Sequence, residues 1–245
     1  MGTFAANNIT TWFGGYDMTT DLSQTTMPIE FEALDSTVFG PVGQRTARSR
    51  RGGLEDVSSQ VAGFWQADEG LDETVFTALG GGTQVITHSH DGAEGSPAYF
   101  YQARSFSYQL FGEVGQLVPF SLTAQGAKGN GTPGAVRGAV LKTRASVSAT
   151  GATGTAFELG AVGSGEHLYA ALHVFDPGTT ITAVLESDDA DTFASATTQA
   201  TFGPITVAGD TWATRVAGPI TDTWYRLRVT AITGTASIAC VAGIK

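Results

Sequence analysis

Short apolar runs broken by Gly, Pro, Asn and Asp recur roughly every ten residues along nearly the whole chain. Runs that short suit strands, which need only about five residues, and starve helices, which need ten or more. The spacing therefore predicts an all-β protein. Within the runs the period is two. Ile29, Phe31 and Ala33 alternate with Glu30, Glu32 and Leu34, predicting a half-buried strand over 27–35 with two carboxylates on its other face. Val57, Ser59, Val61 and Gly63 alternate with Ser58, Gln60, Ala62 and Phe64 in the same way. Residues 83–88, 97–109 and 112–125 read as three more strands, with Phe111-Gly112 as the tight turn of a hairpin.

One segment departs from that period. DEGLDETVFTALGGG, residues 68–82, places Leu71, Val75, Phe76 and Leu79 at helical spacing and puts acids in its first turns. Gly80 follows as a stop. A helix this short needs its apolar face packed on a sheet.

A Gly-rich, Pro133-containing stretch, QGAKGNGTPGAVRG, then interrupts the strands and reads as a linker. The expected organisation is a first domain over 1–126, a linker over 127–138 and a second domain over 139–245. The second domain offers strands near 156–162, 167–175, 179–187, 198–206, 211–217, 222–233 and 235–244, the profile of a β-sandwich. The 245-residue chain is long enough to give each part a core.

Charge narrows the function classes. The formal net charge is −10, so a basic nucleic-acid-binding face is not expected. The acidity is concentrated early: before Val136 there are 14 acidic and 6 basic residues, after it 9 and 7. Cys240 is the single cysteine, which rules out an intramolecular disulfide, and its apolar setting predicts a buried inert thiol. The N-terminal MGTFAANNITTW lacks the basic and apolar regions of a secretory signal, so synthesis in a cytoplasm is expected. No run approaches the ~20 apolar residues of a membrane helix.

Candidate chemistry is sparse. His88 and His90 of HSHD share a strand face and have ligand spacing, but a turn follows and no third ligand stands out, so a solvated turn is expected. The acids of SDDAD, residues 187–191, lack the closing glutamate of a calcium loop. No G-x-S-x-G elbow occurs, and Glu30 and Glu32 point the same way, so they do not bracket a substrate. No enzyme, metal or cofactor is expected. Trp212, Trp224 and Tyr225 offer stacking surfaces to sugars, the basis of a rival reading as a host-surface or carbohydrate-binding module; alternation buries at least one tryptophan.

One anomaly remains. Arg45, Arg48, Arg50 and Arg51 crowd one loop, at 41–53, of an otherwise acidic half. Two readings stay open: a solvated loop, or an arm that reaches an acidic surface on a neighbouring copy. Arginine forks favour carboxylates, and Glu30, Glu32, Asp68, Glu69, Asp72 and Glu73 are the candidate partners. A contact between unlike surfaces builds rings or open stacks.

Two motifs carry a family resemblance. Leu34-Asp35-Ser36-Thr37-Val38-Phe39-Gly40 resembles the D-x-T-x-F-G strand end of the tail tube (major tail) proteins of long non-contractile-tailed bacteriophages. Gly53-Leu54-Glu55-Asp56-Val57-Ser58, with Gly63-Phe64-Trp65, resembles their G-L-x-D strand. The order strand, loop, strand, helix, two long strands matches over 16–126, and VLESDDADTF and AGPITDTWYRLRV resemble segments of phage structural proteins. The resemblance implies a tail-tube β-sandwich domain, closing into a barrel between subunits, followed by an outer C-terminal β-sandwich. It implies a structural virion protein that self-associates as stacked hexameric rings, meets tape measure, terminator and distal tail proteins, and lets DNA pass through an acidic lumen during ejection. It makes 40–53 the inter-ring stacking loop, and four arginines there depart from the family. A distal tail protein shares the implied fold.

Overall fold

The period-two runs become strands in a computed structural model that describes residues 9–35, 50–65, 70–127 and 133–245. The first half holds β1 (Thr10–Phe13), β2 (Tyr16–Asp17), β3 (Leu22–Thr26), β4 (Ile29–Asp35), β5 (Arg50–Phe64), α1 (Leu71–Ala78), β6 (Gln84–Ser89), β7 (Pro97–Leu110) and β8 (Pro119–Gly126). The second holds β9 (Val136–Val147), β10 (Gly151–Glu158), β11 (His167–Asp176), β12 (Thr180–Asp188) and β13 (Thr197–Ile205). It ends with β14 (Gly209–Trp212), β15 (Val216–Ala217), β16 (Trp224–Thr233) and β17 (Ala236–Ile244). The protein is all-β with one short helix, and its sheets are open.

In the second half two sheets face each other. β10–β16–β12–β13 form one, and β9, β17 and β11 with β14 and β15 form the other. Alternate residues from both, among them Leu141, Leu172, Leu185, Phe202 and Leu227, meet in a single core. Cys240 lies in that core, and burial pushes its thiol up, so it is the inert filler expected.

β7 organises the first half. β6 runs along one of its edges; β9 and then β8 share the other. β8 leads on to β5, whose far edge carries β3 and then β4. Phe13, Val61, Leu71, Val75, Ile86, Tyr101 and Leu122 form this core. The helix contributes Leu71, Val75 and Ala78, spaced i, i+4, i+7 on one stripe. Phe76, which the sequence places on the buried face, is 66% exposed. It lies about 100° round the helix from Val75, and two turns of helix cover the sheet with one stripe only.

Three elements differ from the sequence reading. The turn at Phe111-Gly112 is a longer connection, 111–118, so β8 starts later than 112. The strand expected near 156–162 is β10, shifted toward the N-terminus. Most consequential, Val136–Gly138 belong to β9 and not to a linker. Ala139, Val140, Leu141 and Lys142 are all buried, so this strand shows none of the alternation that marks a half-buried one. Residues 128–132 of the predicted linker lie outside the described residues.

β9 joins the halves. Val136–Ala139 pair with β7, and Gly138–Val147 pair with β17, so the larger sheet runs through both halves. A third apolar cluster sits over the seam, with Trp12, Val85, Phe100, Val136, Tyr169 and Val241 drawn from six strands. Among the described residues three ion pairs cross it: Arg144 with Asp17 at 3.0 Å, Lys142 with Glu94 at 3.1 Å and Lys245 with Glu55 at 2.6 Å.

Candidate functional site

The histidines come first, because they are the residues most able to do chemistry. His88 is not in a solvated turn. It is buried on β6, its Nδ1 3.0 Å from Thr11 Oγ1 and its Nε2 2.7 Å from Ser59 Oγ. Tyr101 donates to Ser59 at 2.6 Å, and burial pushes that phenol up. Its neighbour Thr87 points to the other face of β6 and meets His173 Nε2 at 2.8 Å, while His173 Nδ1 donates to the Gly14 carbonyl at 2.7 Å. Burial lowers both imidazoles to about 4, so both are neutral near pH 7. All four ring nitrogens are occupied by protein partners, which leaves none for a metal. The turn reading survives for exposed His90. No group of three potential metal ligands occurs among the described residues.

The acids of SDDAD are also structural. Asp188 accepts from the Ala190 amide at 3.3 Å and the Ser195 amide at 2.8 Å, which folds the loop on itself. Of the aromatics offered to sugars, Tyr225 is fully buried in the core and Trp212 packs on Phe100 and Tyr169. Trp212 and Trp224 are both half-buried; Trp224 stands in register between Glu158 and Asp188.

The surface is more informative than the interior. β4 has the alternation of a half-buried strand, yet all seven of its residues are exposed. Phe31 is 62% and Ile29 42% exposed. β4 pairs with Arg50–Val57 of β5, and that stretch of β5 extends beyond β8, which begins its pairing at Ser58. Among the described residues this leaves a two-stranded ribbon with both outer edges free of ladder partners. Both its faces are open to solvent at Ile29, Phe31, Leu34 and Leu54. Such a ribbon is marginal by itself and is a template for another chain's strand.

Four of the six predicted site residues that are described fall on this ribbon. Glu30 and Glu32 are exposed on β4. Arg50 and Arg51 are not in a loop: they start β5, with Arg50 in register with Asp35 and Arg51 with Leu34. The strand extends this far because β4 supplies a partner for it, which the run of arginines and glycines conceals in sequence. Glu30, Glu32, Glu55 and Asp56 therefore lie along the ribbon, and Arg50 and Arg51 stand with Asp35 at its last described residues. Glu73 is exposed on α1, whereas Asp72 turns inward, where burial and then the Asp72 carboxylate raise the Tyr108 phenol. Arg45, Arg48, Asp68 and Glu69 lie outside the described residues.

A second exposed apolar group closes the opposite end of the same sheet. The 111–118 connection presents Phe111, 80% exposed, with Val114 and Leu117. Phe64 and Trp65 stand beside it, Phe64 in register with Pro119 and the Trp65 amide donating to the Val118 carbonyl at 2.8 Å. Phe111 has φ of +71°, a conformation that costs a bulky L-residue on the order of 1 kcal/mol or more. Sequence reasoning did not find this end, because two apolar residues beside a glycine read as an ordinary turn.

No family model matches the chain, and no curated protein matches it. Chains of several solved structures are similar, among them the following three. A chain from the virion of a native gene transfer agent particle is 16% identical, with a TM-score of 0.42 over 52% of this chain and 96% of that one. A chain from the tail of an empty gene transfer agent particle, determined with C6 symmetry, is 16% identical, with a TM-score of 0.39 over 48% and 90%. The SPP1 Dit protein, described as a paradigm of the hub adsorption apparatus in Gram-positive infecting phages, is 12% identical, with a TM-score of 0.35 over 97% and 99%. These likenesses are remote, and the functional reading rests on this chain's own residues.

Proposed function

We propose that this protein is a structural subunit of a phage tail, a tail tube protein whose activity is to polymerise as stacked hexameric rings around a DNA conduit. The observation that carries the reading is the uncovered β4–β5 ribbon. Its residues alternate as if one face were buried, and nothing among the described residues buries β4. Covering Ile29, Phe31, Leu34 and Leu54 in a neighbouring copy is worth roughly 1.5–3 kcal/mol for each side chain. Pairing the free strand edges with those of the next copy satisfies the open backbone groups and closes the sheet round a ring. The exposed carboxylates Glu30 and Glu32 and the exposed Arg50 and Arg51 give the ribbon both signs of charge, which can attract between neighbouring copies. The described parts of the two motifs that resemble tail tube proteins, Leu34-Asp35 and Gly53–Val57, lie on this ribbon, which ties the reading to that family and to a virion location.

The host-surface alternative loses two of its three aromatics to internal packing, so the assembly reading is the stronger. Negative-stain microscopy tests it. Purified protein should form rings or tubes, while Ile29→Thr with Phe31→Ser should remain folded by circular dichroism and stay dispersed. Tubes of unchanged abundance from that variant would refute the ribbon's role.

A further inference from the structure

The two apolar ends of the first half differ in shape. At one end the 111–118 connection projects, with Phe111, Val114 and Leu117 outward. At the other, an open groove of about 340 Å³ is lined by Ile9, Thr25, Met27, Ile29, His90 and Tyr99. Both are anchored on β7. Tyr99 lies near the start of that strand and Leu110 ends it, so knob and groove stand roughly 36 Å apart along one element. The groove runs directly into the exposed apolar face of β4, because Ile29 belongs to both.

We propose that the 111–118 knob of one copy seats in the β1–β3–β6 groove of the next, as a second contact beside the ribbon. The inference rests on the self-assembly reading and names the surfaces that stack. The knob is held outward by the left-handed backbone at Phe111. Its single charge is Glu113, and the groove lining carries no carboxylate to oppose it. A knob and a matching hole at opposite ends of one molecule make a contact that does not satisfy itself within a pair. Each docking leaves one knob and one groove free, and the chain of copies continues. A symmetric dimer leaves no such remainder.

A cross-link tests the contact directly. Cys240 is fully buried, so introduced thiols are the only reactive ones. Val114→Cys combined with His90→Cys should give a ladder of oligomers on oxidation, while either single variant stays monomeric on a non-reducing gel. A disulfide dimer from Val114→Cys alone would mean a symmetric tip-to-tip contact and would overturn the proposal. A second variant, Phe111→Asn with Val114→Ser and Leu117→Ser, changes only exposed positions and keeps a residue tolerant of positive φ at 111. It should lose polymers longer than one ring. Polymers of wild-type length from it, with no ladder from the double-cysteine protein, would overturn the contact and leave the ribbon reading standing. A wild-type chain that sediments as a monomer at every concentration would overturn both. Binding of the knob to phosphatidylcholine vesicles without a ladder would assign the tip to lipid and overturn the contact.

Discussion

His88 and His173 couple the fold to pH, with a sign set by their burial. Unfolded, each imidazole titrates near 6.5; folded, near 4. Between those values the unfolded chain binds protons that the folded chain does not, so acid favours unfolding. Their stabilising contribution is complete above about pH 6.5 and is lost as pH falls toward 4, roughly 3 kcal/mol for each histidine. Asp210, beside Gly14 at the same seam, acts the other way. Burial raises it to about 6, against a partly compensating bond to the Val85 backbone. Its contribution is present below 3.8, its ordinary value, and is lost as pH rises through 6, so it offsets part of the histidine effect. Urea midpoints should therefore fall from about pH 7 to about pH 4.5. His173→Gln, whose amide can still donate to Gly14 and accept from Thr87, should remove most of that slope, because Asp210 nearly offsets the one histidine that remains. An unchanged slope would mean that His173 does not stay neutral in the folded protein.

At the scale of elements the same strand pattern leads to opposite fates. β17 is buried along nearly its whole length between β9 and β11, while β4 lies open on both faces. Hydrogen exchange should separate them. Amides of β4 and of Arg50–Asp56 should exchange rapidly in dispersed protein, because a two-stranded ribbon without cover opens easily. Those of β17 should be the last to exchange. On assembly the ribbon should gain protection and β17 should not change. Slow exchange of the ribbon in the monomer would show that it needs no partner. The helix follows the same logic at smaller size: its legible stripe is real, but Phe76 shows that an apolar residue at helical spacing is not thereby buried.

At the scale of the whole molecule β9 decides cooperativity. Gly138 stands in register with Ala98 of β7 and Gly243 of β17, and a Cβ there would collide with the Ala242 carbonyl. Gly138→Ala should cost about 1–3 kcal/mol through that overpacking. Because one strand belongs to both halves, the loss should appear as a downward shift of a single melting transition. Calorimetry of the wild-type protein should give equal calorimetric and van't Hoff enthalpies. Two separate transitions, with only one moved by the substitution, would mean that the halves fold independently across the seam.

The sequence alone determined the all-β class, the helix at α1 and the second sandwich, because period-two alternation and turn residues are local properties of a chain. It also marked β4 as half-buried, and there the structure corrects it: all seven residues are exposed. Only the tertiary structure decided that no described element covers this face, since burial depends on what packs from afar. The same holds for β9, whose two-sided burial erased its period, and for His88, whose solvated look depended on neighbours 29 and 77 residues away. Periodicity tells which face of a strand must be dry; only the packed molecule tells whether its own chain or another copy makes it so.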